Sequence, residues 1–348
     1  MRTLFLLEKF FNTLYINVVL TNVKWGDLMF VKLRELNDYE RYLLEVKDRI
    51  QIDKYDSDKL FTLEKGILGE EYFYERIKDC EGGAKIWDLR LNIKGESQYD
   101  FIIVSNKKIV HLDTKYYEGK YNYNNGVFMS ENNYVINNPL YKLDIQHNKL
   151  QELVRKLGID YEVLSYVIFV GEQFEVIGYK GDKRILFNKD LDDIIKSLNE
   201  REVTKEEIQI ARNLSAYYYD KGVYDRIYHY PFDLMRKGVK CPKCRRFLPL
   251  MEKNAKKVRC TCGCEYSKKA VVRFAFDAIY LLKNTSVTSK DIFDFTGVGK
   301  TTIKKVLSTE YEKIGVNRST AYVASKSDDM LIKEEIYLYK VDRGMFVG

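Results

Sequence analysis

The sequence predicts an α/β (α+β) body, a mixed sheet flanked by helices, followed by a small cysteine-rich segment and a helical module. Three observations predict it. Between about residues 33 and 213, stretches of helical period alternate with short apolar runs of period two. Five of the six cysteines crowd between positions 241 and 264. Charge is also divided: residues 236–315 hold 19 Lys and Arg against 7 Asp and Glu, whereas residues 1–235 hold 34 against 39. A mildly acidic body joined to a strongly basic module predicts a polyanionic partner, most simply nucleic acid.

The chain of 348 residues has room for several domains, and 45% apolar with 31% charged residues is ordinary for a globular protein. The N-terminal run "LFLLEKFFNTLYINVVL" is interrupted by Glu8, Lys9, Asn12 and Asn17, and no small-x-small cleavage site follows. It argues for neither a membrane span nor a secretion signal, so a cytoplasmic location is expected. Trp25-Gly26-Asp27 must be encoded by a purine run resembling a bacterial ribosome-binding site just before Met29. The expectation is that translation starts at Met29 and residues 1–28 are a non-native extension; an amphipathic leader helix is the alternative.

Residues 29–57 then read as an N-terminal helical segment, with helical period from Leu33 to about Lys54. A second helix, about Asp58 to Asp79, opens the main body at 58–200. It carries Gly66 and Gly69, which cost helix stability and so imply close packing. A strand is expected around "KIWDLRL", a hairpin over residues 97–119, extended chain over 116–129, and a helix from Asn138-Pro139 to about Lys156. Strands in "YEVLSYVIFV", "FEVIGY" and "RILF" follow, with short helices at about 190–199 and 204–213. The remaining boundaries are a helical connector at 201–235, a cysteine ribbon at 236–268, a helical module at 269–315 and a tail at 316–348.

The hairpin "SQYDFIIVSNKKIVHLDTKYYEG" is unusual because both apolar runs carry an acid. With Asn106-Lys107 as a two-residue turn, Ser105 pairs with Lys108 and Asp100 falls opposite Asp113. Like charges so placed repel, unless a hard divalent cation lies between them. Lys115 shares the Asp113 face. Two readings fit: a cation-and-carboxylate cluster, or a surface strand pair in which Lys115 neutralises one acid. His111 also shares that face, either lining a cleft or half-buried in the strand, and Cys80 reads as a packed thiol.

Gly66-x-x-Gly69-Glu70, Gln98-x-Asp100 with its following apolar run, and Asp113-x-Lys115-x-x-x-Gly119 together resemble the nuclease-related domain (NERD). That family belongs to the PD-(D/E)xK restriction-endonuclease-like superfamily, so the resemblance implies a restriction-endonuclease-like mixed sheet. It implies that Asp100 and Asp113, with the Thr114 carbonyl, bind Mg²⁺ (or Mn²⁺). Lys115 would position or activate water and stabilise phosphate charge; Glu70 would join the acids, and Gln98 would orient water or a carboxylate. The implied chemistry is metal-assisted hydrolysis of a phosphodiester. One departure is visible: Lys142 stands where many members have Gln after the Asn-Pro pair.

Cys241-x-x-Cys244 and Cys260-x-Cys262-Gly263 look like a zinc ribbon, two thiolate pairs closing a tetrahedral Zn²⁺ site. Gly263 after Cys262 favours Cys262 as fourth ligand, with Cys264 in reserve. Arg245, Arg246, Lys256 and Lys257 would face a phosphate backbone. "TGVGKTT" imitates a nucleotide-binding loop, but Asp294 stands where its first Gly is needed, so no nucleotide cofactor is expected. Two helices meeting at Gly297 read instead as a helix-turn-helix, with Thr301, Lys304, Lys305 and Ser308 on the recognition face. A small bundle supporting the ribbon is the alternative. The expected function is a Mg²⁺-dependent nuclease acting on DNA. The rivals are a non-catalytic DNA-binding protein that retains the fold and an RNA-processing nuclease.

Overall fold

The computed structural model describes residues 29–124, 126–219, 227–252 and 254–324. The expected extension at 1–28, and the expected tail beyond 324, lie outside them. The described residues divide into two compact units, residues 29–35 with 61–219, and residues 36–60 with 227–324.

The first unit is built on a six-stranded mixed sheet. Its strands are β1 (Phe30–Lys32), β2 (Ala84–Asn92), β3 (Glu96–Ser105), β4 (Lys108–Lys115), β8 (Glu162–Phe169) and β10 (Ile185–Phe187), adjacent in that order. The β2–β3–β4 meander is antiparallel; β1 joins β2, β8 joins β4 and β10 joins β8 in parallel. One face packs against α2 (Lys54–Ile77, which enters this unit at Phe61) and α4 (Leu191–Asn199), through Phe73, Trp87, Phe101 and Leu112. The other packs against α3 (Leu140–Lys156) and α5 (Lys205–Ser215), through Tyr99, Ile102, Leu150 and Leu214. A four-stranded sheet, in the order β7-β6-β5-β9, is formed by β5 (Gly119–Asn124), β6 (Val127–Ser130), β7 (Val135–Ile136) and β9 (Phe174–Ile177). It buries a second aromatic core of Tyr121, Phe128, Phe169 and Phe174.

The hairpin forms in the expected register, Ser105 opposite Lys108 and Phe101 opposite Leu112. Asn106 and Lys107 both take positive φ, 53° and 59°, as a turn matching the twist of its strands requires. The helical glycines divide. A Cβ on Gly69 would lie 3.0 Å from Tyr116 Cβ, so α2 approaches that strand end closely, whereas Gly66 meets only Glu70 Oε1 at 4.0 Å.

In the second unit, α1 (Asp38–Val46) starts later than its periodicity suggested. The Asn37 side chain accepts from Glu40 N–H while the Glu40 carboxylate accepts from Asn37 N–H, a reciprocal cap that fixes the first turn there. A two-stranded ribbon, β11 (Lys257–Arg259) with β12 (Glu265–Ser267), leads into α6 (Lys268–Lys283), α7 (Ser289–Thr296) and α8 (Lys300–Glu310). The last helix stops at Glu310, and the chain turns into a hairpin of β13 (Glu312–Ile314) and β14 (Ala321–Val323). Gly297, at φ 68°, makes the turn between α7 and α8. Tyr42 and Val46 of α1 share one core with Tyr266 of the ribbon and Val271, Phe276 and Ile303 of the helices. Ribbon, helices and residues 36–60 therefore form one body around one core.

Candidate active site and metal centre

The sheet of the first unit brings three aspartates into one transverse row. The β2–β3 ladder pairs Trp87 with Phe101 and Leu89 with Tyr99, which sets Asp88 across from Asp100. The β3–β4 ladder ends at Phe101 with Leu112, leaving Asp100 and Asp113 next in line. At this row both strands change face. Trp87 and Phe101 belong to the core under α2, while Leu89 and Tyr99, two residues away, belong to the opposite core. Period two forbids that in a regular strand; the break occurs at Asp88, whose φ is 61°.

Each acid has its own partners. The Asp100 carboxylate accepts the Thr114 N–H at 2.8 Å and its hydroxyl at 3.0 Å. Asp113, 2% exposed, forms an ion pair with Lys115 and receives a second ammonium, Lys142 Nζ, at 3.3 Å. Lys115 Nζ also lies 3.3 Å from the Thr114 carbonyl. Burial raises the pKa of Asp100, and the Asp113 charge raises it further. For Asp113 burial pushes upward too, but Lys115 and Lys142 outweigh it and hold the carboxyl at about 2. Burial likewise lowers Lys115, yet the carboxylates of Asp113 and Asp100 keep it above its ordinary range. Both ammonium groups of the row thus converge on Asp113, while Asp100 is held by Thr114.

Glu70, on the face of α2 that packs near this row, is buried, bonded by Trp87 Nε1 at 2.8 Å and paired with Arg34 at 2.5 Å. Burial and the nearby Asp100 charge push its carboxyl up to about 8. Gln98 donates to Asp88 at 2.8 Å, so its amide is engaged with that acid. His111 is fully buried, edge-on to Tyr99 with ring centroids 4.9 Å apart, and burial lowers it to about 3. It is therefore neutral core, not cleft lining. Cys80 is a buried thiol, as expected.

Asp88 and Lys142 were not read as site residues from the sequence. The signal for Asp88 was present: an acid inside the otherwise apolar "KIWDLRL", where a strand core would have no use for it. Lys142 was visible only as a departure from a resembling pattern.

In the second unit, the sulfurs of Cys241, Cys244, Cys260 and Cys262 all lie within 4.8 Å of one another. Cys244 and Cys260 are 3.4 Å apart, Cys241 and Cys262 3.7 Å. The edge of a tetrahedron with Zn–S bonds of about 2.3 Å is roughly 3.8 Å, so the four thiols fit a zinc ion. The two turns that present them are built by Arg245 and Gly263, at φ 57° and 89°. All six cysteines are free thiols. On α8, Thr301, Lys304, Lys305 and Ser308 are exposed while Ile303, Val306 and Leu307 are buried, the division of faces expected of that helix. Among the described residues, no helix is long and apolar enough to cross a membrane.

No curated protein and no solved structure matches the chain. Residues 65–170 match the family model of NERD, the nuclease-related domain. That span runs from α2 through the Asp88–Asp100–Asp113 row and on past β8, so the stretch similar to a nuclease-related domain is the one that carries the acid-and-lysine cluster.

Proposed function

We propose that the protein is a divalent-cation-dependent nuclease that hydrolyses phosphodiester bonds at the Asp100–Asp113–Lys115 cluster, with DNA as its substrate. The observation that carries this reading is the pairing of Asp113 with Lys115 beside Asp100 inside a nuclease-related domain. A donor set of two carboxylates and a carbonyl, Asp100, Asp113 and Thr114, suits Mg²⁺ or Mn²⁺, which prefer oxygen ligands. A cation held there supplies a Lewis acid for the phosphate and lowers the pKa of water. Lys115, as an ammonium, can only donate; it orients the water and neutralises charge on the phosphate. Asp113 holds Lys115 in position, and Thr114 fixes the Asp100 carboxylate. Glu70 adds an acid that burial and the Asp100 charge hold protonated more readily than an ordinary carboxyl. Gln98, tied to Asp88, keeps the polar row aligned.

The second unit holds the polymer. Its four thiols carry Zn²⁺ as a structural ion, and Arg245, Arg246, Lys256 and Lys257 with the exposed face of α8 contact phosphates. Two helices joined by the Gly297 turn act as a helix-turn-helix in this reading. Four thiolates on Zn²⁺ and two reduced cysteines, Cys80 and Cys264, suit a reducing compartment, the cytoplasm.

The test is incubation of the purified chain with plasmid, linear and single-stranded DNA and with RNA, in Mg²⁺, Mn²⁺ or EDTA, beside Asp113→Ala. Cation-dependent DNA cleavage absent from the variant supports the reading. Binding without cleavage identifies a non-catalytic DNA-binding protein, and cleavage confined to RNA an RNA-processing enzyme.

A further inference from the structure

We infer that the first unit carries a stacking surface for unpaired bases, formed by Phe61 and Tyr134 on either side of Lys65 and Tyr117, so that the substrate is a single-stranded segment of nucleic acid. This deepens the nuclease reading and rests on it. Phe61, Lys65 and Gly69 fall at i, i+4 and i+8 on one face of α2. Gly69 lets that face press against Tyr116, and Lys65 Nζ lies 4.6 Å from the Phe61 ring and 5.7 Å from the Tyr117 ring. The Tyr117 ring in turn lies 6.2 Å from Tyr134. Phe61 is 57% exposed and Tyr134 50%. The run is continuous with the acidic row, because Tyr117 is two residues beyond Lys115 on the same chain segment.

A single exposed aromatic ring needs no explanation. Here Lys65 lies between the exposed ring of Phe61 and Tyr117, Tyr117 contacts a second exposed ring, Tyr134, and the exposed Lys142 reaches from α3 to Asp113. Rings that present faces to bases, alternating with cations that meet phosphates, are the recurrent chemistry of single-strand binding. Duplex DNA cannot use such rings, because its base faces are already stacked on one another. Lys65, the cation within this run, suits the phosphate of a strand whose bases meet Phe61 and Tyr134, so an unpaired strand is the occupant that the chemistry favours.

The test is fluorescence anisotropy with the full, zinc-loaded chain in chelator-free buffer lacking Mg²⁺ and Mn²⁺ and three labelled probes: an oligothymidylate, an abasic strand of equal length, and a blunt duplex. The wild-type chain should bind oligothymidylate more tightly than the abasic strand. Phe61→Ala with Tyr134→Ala should weaken oligothymidylate binding about tenfold or more, leaving the other two probes unchanged. Phe61→Tyr with Tyr134→Phe should restore it. Unchanged oligothymidylate binding in the double alanine variant, an equal loss on all three probes, or no wild-type preference over the abasic strand would each overturn the inference. Because neither Mg²⁺ nor Mn²⁺ is present and no cleavage is read, these outcomes are independent of whether Asp113 and Lys115 perform hydrolysis.

Discussion

The Asp100 carboxylate accepts both the backbone N–H and the hydroxyl of Thr114, at 2.8 and 3.0 Å. These bonds orient an acid that burial and the Asp113 charge both oppose. Function and stability should therefore separate at this position. Asp100→Asn keeps the volume while removing the repulsion, so cleavage should fall by about a hundredfold or more while the melting temperature without Mg²⁺ or Mn²⁺ stays level or rises. A lower melting temperature together with retained cleavage would contradict the assigned role.

Asp113 should behave in the opposite way. Lys115 and Lys142 both converge on it, so Asp113→Ala leaves two ammonium groups without their anion. Loss of cleavage should come with a loss of about 1–3 kcal/mol in stability, from leaving charged donors unpaired. Nucleic-acid affinity measured without Mg²⁺ or Mn²⁺ should be kept. Lys115→Ala should likewise abolish cleavage, and a variant cutting at the wild-type rate would remove Lys115 from the mechanism.

A buried lysine gives a pH test of the fold itself. Lys85 is wholly buried and donates to the carbonyls of Cys80, Gly82 and Gly83, the turn that follows α2. Burial lowers its pKa from 10.5 to about 8. Between those values the unfolded chain binds more protons than the folded one, so this lysine makes stability rise with pH across the window. Urea unfolding at pH 8.0 and 9.5 should show the rise, and Lys85→Met should make it shallower, the remainder coming from Lys240, which burial also lowers to about 8. An identical pH slope in the variant would mean that Lys85 keeps an ordinary pKa.

Much of the site was legible because it depends on local rules. Period two placed Asp100 and Asp113 opposite each other, and the Asn106-Lys107 turn fixed the register. The face change at Asp88 was not legible: it requires a left-handed φ in a residue flanked by good strand formers, which the tertiary pairing imposes. Gln98 meets Asp88 for the same reason. Domain grouping was also hidden, since nothing local tells Tyr42 and Val46 that their apolar face will join a core built from residues more than 180 positions away. Where α1 begins depended on one capping pair, Asn37 with Glu40, within a longer stretch of helical period.

For the zinc centre, purified protein should contain about one Zn²⁺ per chain. Cys241→Ser, Cys244→Ser, Cys260→Ser and Cys262→Ser should each release it. Cys264, outside the set of four sulfurs that converge, should tolerate Ser with its metal kept. Because Cys241, Cys260 and Tyr266 belong to the same core as Phe276 and Ile303, loss of metal should destabilise the helices as well as the ribbon. Metal analysis finding Cys264 essential and Cys262 dispensable would reassign the fourth ligand.

The last prediction concerns how the second unit meets nucleic acid. Lys304 and Lys305 are exposed on α8, while Ile303, Val306 and Leu307 on its other side are buried, so charge reversal there should leave the core intact. If α8 lies against duplex DNA, each phosphate contact releases counterions, and log affinity falls with log salt at roughly −0.9 per contact. Lys304→Glu with Lys305→Glu should weaken duplex binding and make that slope shallower by about two. The melting temperature and zinc content should stay unchanged. Arg245→Ala with Arg246→Ala measures the ribbon by the same two readouts, with an expected change of similar size. If affinity and slope survive the α8 reversal but not the ribbon substitutions, then α6, α7 and α8 support the ribbon, and the ribbon alone touches phosphate.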